Sequence, residues 1–116
     1  MDDYIADDYV FNGAPPGLLP GLKGLKNFFV MMFEAFPDWN SYVEDMVAEG
    51  DKVAVRWGAV GTHKGEWEGI PPTGMQATWE GILIYRIVGG KIVEEWVIDN
   101  SPNIMLKLAA VAAQPT

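Results

Sequence analysis

The chain has 116 residues and a formal net charge of −8, with 16 Asp and Glu against eight Lys and Arg. An acidic surface repels phosphate backbones and anionic headgroups, so nucleic acid and membrane are poor partners for it. There is no Cys, which excludes a disulfide, a thiol nucleophile and a thiolate metal site, while a hydrophobic share of 49% supports one folded domain and the length leaves no room for a second.

Asp2, Asp3, Asp7 and Asp8 make the start acidic, without the basic n-region of a secretory signal. No apolar run is longer than Phe28 to Phe33, far short of the roughly 20 residues that span a bilayer. These features point to a soluble, cytoplasmic protein built as a single domain over 1–116. Its expected parts are loop and helices over 1–36, an antiparallel meander over 41–99 and a C-terminal tail over 104–116.

Residues 1–9 read as the end of a helix, with Tyr4, Ile5 and Tyr9 on one side. Residues 10–21 read as a loop, because GAPPGLLPG carries three Pro and three Gly, which interrupt regular structure. In 22–36, Leu22, Leu25, Phe29, Met32, Phe33 and Phe36 recur at helical spacing and predict a helix ended by Pro37-Asp38. The period then changes to two. Strands are predicted at 41–48, 52–62, 76–88 and 91–99, with a short edge segment at 66–70. Glu49-Gly50-Asp51, Pro71 to Gly74 and Gly89-Gly90 are the turns, the last a two-residue hairpin. Residues 104–116 read as a short helix or a loose tail. Helices followed by a meander predict an α+β layout, and Gly58, Gly61 and Gly81 inside strands predict a bent sheet.

Several segments resemble one family. GTHKGEWEGIPPTG at 61–74 looks like the signature loop of SnoaL-like proteins, and FPDW at 36–39, VEDMVAEGDKVAVRW at 43–57 and YRIVGGKIVEEW at 85–96 follow in order. The resemblance covers about residues 8 to 108. It implies the cone-shaped nuclear transport factor 2-like fold, with helices packed on a strongly curved antiparallel sheet and a pocket on its concave face. It implies ring closure by an aldol step of the polyketide cyclase type, with no cofactor and no metal. Homodimers are common in the superfamily, which includes ketosteroid isomerase and limonene epoxide hydrolase. Relatives usually carry one more N-terminal helix than this chain shows. The cyclase His and Asp fall on Leu83 and Val97 here, and a His common near the loop entry falls on Asn12.

Alternation sorts the candidates by face. With positions 83 and 97 inward, Trp79, Gly81 and Tyr85 face the pocket on one strand, and Val93, Glu95 and Asp99 on the other. Ile82, Ile84, Ile92, Trp96 and Ile98 then form an outer face too apolar for water, which a second copy of the chain would cover. A bulge near Gly81 would exchange the faces.

Asp99 is the first candidate acid or base, since an apolar pocket would raise its pKa. The other reading places it in the strand-ending turn IDNSPN. His63 is the only His; it could shuttle a proton or hold its loop by a hydrogen bond. Tyr85 could donate to a carbonyl or enolate oxygen, or serve as a core aromatic. Trp57, Trp79, Leu83, Val97, Phe29 and Phe33 are the expected ligand-binding residues. Glu94 and Glu95 point to opposite faces and make no catalytic pair. The function expected is a cyclase or isomerase acting on a small, largely apolar or aromatic carbonyl compound. The alternatives are a non-catalytic binding protein and an epoxide-hydrolase-like enzyme using Arg56 with Asp99.

Overall fold

The computed structural model describes residues 3–15 and 17–113. Strand β1 (Ile5–Asn12) is followed by helix α1 (Gly21–Ala35), strands β2 (Asn40–Glu49), β3 (Lys52–Thr62), β4 (Gln76–Val88) and β5 (Lys91–Asp99), and helix α2 (Ser101–Ala112). Two helices thus pack on one five-stranded sheet of order β1-β5-β4-β3-β2. β2 to β5 form the antiparallel meander, and β1 adds to the outer edge of β5 in parallel.

Alternation in the sequence becomes alternation in burial. Along β4, Ala77, Trp79 and Leu83 are buried while Thr78, Glu80 and Ile82 are exposed. A strand with one face on a core must read this way. β3 and β4 pair without a break from Lys52↔Arg86 to Thr62↔Gln76. No bulge exchanges the faces at Gly81; the register shifts fall at Ile5/Val10 in β1, at Val43/Asp45 in β2 and at Arg86/Ile87 beside β5. The β4–β5 hairpin turns through Gly89 and Gly90 at φ +59 and +77, the pair of left-handed residues that a tight hairpin with native twist requires.

β1 corrects the expectation of a helix end at 1–9 and a loop from 10; residues 1 and 2 lie outside the described residues. Local spacing suggests a helix there, but the free edge of β5 offers hydrogen-bonding groups that a strand can use. Val10, Phe11 and Asn12 align with Glu94, Glu95 and Trp96. The Asn12 amide fixes this register, donating at 3.0 Å both to Glu94 Oε2 and to the Glu95 carbonyl. The edge segment at 66–70 is a single bridge, Trp67↔Ile70. α2 starts at Ser101, three positions before the expected tail, with Pro102 in its first turn. Asn100 anchors that start, accepting from Glu80 N–H at 2.9 Å and donating to the Thr78 carbonyl at 3.1 Å.

The core lies between α1, α2 and the inner face of the sheet. It holds Met32, Phe36, Ala59, Ala77, Trp79, Ile104 and Leu108. Phe36 is fully buried and meets Trp79 edge-on at 4.8 Å, a favoured aromatic geometry. The FPDW turn is tied to the end of β3 by Asp38, whose carboxylate accepts from the Thr62 N–H and hydroxyl, each at 2.7 Å. Those two bonds hold the Asp38 carboxyl below the ordinary carboxylate range.

Candidate active site

Beyond the core, the inner face of the sheet opens into a cavity of about 860 Å³, a size typical of small-molecule sites. β3, β4 and β5 supply its floor in three rows set by strand register. Register aligns Trp57, Gly81 and Asp99 in one row, Val55, Leu83 and Val97 in the next, and Val53, Tyr85 and Glu95 in the third; all of these except Gly81 and Val53 line the cavity. Helix α1 supplies Phe28, Phe29 and Met32 to the opposite wall, and α2 supplies Pro102 and Met105. The wall is apolar and aromatic with a few polar groups, so each polar group is informative.

The most buried of these is Glu95, 8% exposed. Its Oε1 accepts a close hydrogen bond from the Tyr9 hydroxyl, which β1 brings in from 86 residues away. Its Oε2 has no hydrogen-bond partner among the described residues. Burial pushes the Glu95 carboxyl above the ordinary carboxylate range; the Asp99 charge adds to this and the Tyr9 bond opposes it. Tyr85 stands directly across the strand pair from Glu95. Burial, reinforced by the Glu95 charge, pushes its phenol up to about 12. Tyr9 is raised further, by burial first, then by its hydrogen bond to Glu95 and by the charges of Glu95 and Tyr85. Both phenols therefore stay protonated and act as hydrogen-bond donors beside a carboxylate whose proton is easily gained or lost.

Asp99 lines the same cavity but sits at its rim, where its Oδ1 accepts from the Ser101 N–H at 2.9 Å. That bond also tethers the β5–α2 junction, so Asp99 ends the strand and lines the cavity as well. Trp57, Trp79, Leu83, Val97, Phe29 and Tyr85 all line the cavity.

Two expected site residues lie elsewhere. Phe33 is 48% exposed on the solvent side of α1; four successive apolar residues, Val30 to Phe33, cannot all face inward on a helix. His63 is fully buried outside the cavity lining. Its Nδ1 accepts from the Thr73 N–H at 3.2 Å and lies 3.0 Å from the Thr73 hydroxyl. The neutral ring therefore carries its proton on Nε2. Burial lowers its pKa, against the pull of the Gly65 and Ile70 backbone. His63 holds the 64–74 loop and has no route to a bound ligand. Arg56 pairs with Ile82 on the outer face, so an Asp–Arg arrangement with Asp99 inside the cavity is not assembled.

Two of these residues are not singled out by sequence reasoning. Glu95 falls on the inner face but is discounted together with Glu94, and Tyr9 falls within the expected helix end. The available signal was Glu95 itself, a carboxylate in line with Val97 and Leu83 on a buried face, where an unpaired charge is costly. Among the described residues no group of His, Cys, Asp and Glu could hold a metal ion, and no helix is long and apolar enough to cross a membrane.

The fold recurs in solved structures. IdmH of Streptomyces antibioticus, described as a candidate polyketide cyclase, is 32% identical, with a TM-score of 0.73 over 92% of this chain and 83% of its own. AclR of Streptomyces galilaeus, a candidate hydroxylase, is 29% identical, with a TM-score of 0.77 over 93% of this chain and 80% of its own. A candidate polyketide cyclase of Acidithiobacillus ferrooxidans is 28% identical, with a TM-score of 0.78 over 95% of this chain and 80% of its own. No curated protein matches. The cone-like α+β fold of these neighbours is the nuclear transport factor 2-like fold, and the family described as SnoaL-like polyketide cyclase matches residues 1–108. This chain belongs to the SnoaL-like polyketide cyclase family.

Proposed function

We propose that the protein is a cyclase or isomerase acting on an apolar carbonyl compound, with Glu95 as the group that moves the proton. The observation that carries this reading is a carboxylate buried in the cavity wall, held at one oxygen by Tyr9 and free at the other. In its ionised form, Oε2 removes a proton from the carbon next to the substrate carbonyl. The bonding pair moves into the C–C bond and the carbonyl oxygen becomes an enolate. Tyr85, opposite Glu95, donates a hydrogen bond to that oxygen as its charge grows. The enolate carbon then attacks a second carbonyl to close a ring, the new alkoxide taking the proton from Glu95, or the enolate takes that proton back at another carbon. The residues on hand suffice for proton transfer and oxyanion stabilisation.

The apolar wall raises the Glu95 pKa towards the range where a carboxylate both accepts and returns a proton efficiently. In this reading Asp99 tunes Glu95 through its charge and contacts the ligand rather than taking its proton. The test is an aromatic β-keto ester probe whose activated C–H protons exchange with deuterium, followed by NMR. Glu95→Gln should lower catalysed exchange by about 10² to 10⁴ fold while the probe still binds. Unchanged exchange in that variant would remove Glu95 from the mechanism.

We also propose that a second copy of the chain covers the outer face. Ile82, Ile84, Trp96 and Ile98 stand there together and exposed, Ile98 at 82%, an arrangement that water disfavours. Sedimentation should give a dimer that Ile98→Asp converts to monomer; a wild-type monomer at micromolar concentration would contradict this.

A further inference from the structure

The charges around the cavity are all of one sign. Glu68, Glu95 and Asp99 line it, and among the described residues no Lys, Arg or His does. Arg56 lines a groove on the outer face instead, Arg86 pairs with Glu94, and Lys52 pairs with Asp51. The carboxylates that line the cavity keep free oxygens. Asp99 gives Oδ1 to the Ser101 N–H at 2.9 Å and has no partner at Oδ2 among the described residues. Glu68, exposed at the tip of the Trp67–Ile70 turn, stands at the cavity mouth without an ion pair among the described residues. Glu95 is only 8% exposed, and its Oε2 opens on the cavity without a partner there.

A buried carboxylate with no donor or positive charge to meet it is costly, and like charges repel more strongly where water is excluded. The rest of the lining favours the missing charge. Trp39, Tyr42, Trp57, Trp79 and Tyr85 are among its aromatic rings, and aromatic faces attract cations. The formal net charge of −8 acts in the same sense at longer range. We propose that the cavity selects a cationic ligand, a carbonyl compound bearing a protonated amine that Asp99 receives at the rim. The ammonium donates to Oδ2, the oxygen that Ser101 leaves free, while Glu68 draws the cation in at the mouth. The same field refuses free carboxylic acids and phosphate-bearing compounds. This selectivity rests on the cavity being the substrate site, and not on Glu95 being the base.

The experiment compares three probes of similar shape, naphthylmethylamine, naphthylmethanol and naphthoate, by calorimetry on the full chain at neutral pH. None has a C–H next to a carbonyl, so proton abstraction plays no part in the result. The wild type should bind the amine at least about tenfold more tightly than the alcohol, the worth of one charge-assisted hydrogen bond, and the acid more weakly than either. Asp99→Asn keeps the volume and an acceptor for Ser101, and should bring the amine-to-alcohol ratio close to one. Glu68→Gln should lower the ratio by a smaller factor, about twofold, which covers the case in which the Asp99 variant fails to fold. Glu66→Gln removes the same charge from the same loop, outside the cavity lining, and should leave the ratio intact. An amine that binds no more tightly than the alcohol or does not saturate, an acid that binds as well as the alcohol, a full ratio in Asp99→Asn, or an equal fall in Glu66→Gln overturns the proposal. Loss of deuterium exchange in Glu95→Gln is read separately, so failure of the charge selectivity and failure of the Glu95 reading are distinct results.

Discussion

Besides the Tyr9 phenol, the ionisable side chains buried among the described residues are His63 and Glu95, and these two differ in what they face. His63 sits in a closed nest formed by Thr73, Phe36 and its own loop. Glu95 lies in the wall of a cavity large enough for a ligand. Burial shifts both away from the charged form, lowering the His and raising the Glu. A perturbed pKa is therefore not in itself a mark of function here. The open side of Glu95 is what separates the two.

The largest expected effect sharpens this contrast in catalysis. Glu95→Gln keeps the shape and an acceptor for Tyr9, so the fold should stand while deuterium exchange falls by about 10² to 10⁴ fold. Because ionised Glu95 is held in an apolar wall, the same variant should be as stable as the wild type or more so at neutral pH. The His63 counterpart should act the other way. His63→Ala leaves a void in the core and strips Thr73 of its partner, so stability should drop by about 2–4 kcal/mol in urea titration. Exchange per folded molecule should be retained. A His63 variant that folds normally but has lost exchange would break the comparison.

A smaller effect is the slope of stability with pH. Below His63's ordinary value of 6.5, the unfolded chain takes up a proton that the folded protein refuses. Stability from this group is complete above 6.5 and is lost as pH falls towards the lowered folded value. Above Glu95's ordinary value of 4.5, the folded protein keeps a proton that the unfolded chain has released. Stability from that group is complete below 4.5 and is lost as pH rises through the raised folded value. The two slopes oppose each other, so His63→Asn should expose the falling one and Glu95→Gln the rising one in thermal melts.

Most of the sheet was legible in the sequence because its signal is local. Strands β3, β4 and β5 are rich in β-branched and aromatic residues, and glycines or prolines mark the turns. Strand parity sufficed to place Trp79, Leu83, Tyr85, Val97 and Asp99 on one face. β1 was illegible because nothing in IADDYVFN outweighs its helix-like spacing until β5 presents an edge. Tyr9 and Glu95 were missed for the same reason: their pairing joins two chain ends. Phe33 failed because a run of apolar residues on a helix exceeds the width of the face that can be buried. His63 was seen as an open choice between chemistry and structure, and only the fold shows that Thr73 closes around it.

The most direct test is the pH profile of deuterium exchange into the β-keto ester probe, measured for the wild type and for Glu95→Gln. Exchange in the wild type should rise with pH as Glu95 ionises, with a midpoint above its ordinary value of 4.5, and the variant should stay at the background rate throughout. A variant profile that rises with the same midpoint and amplitude as the wild type would contradict the account.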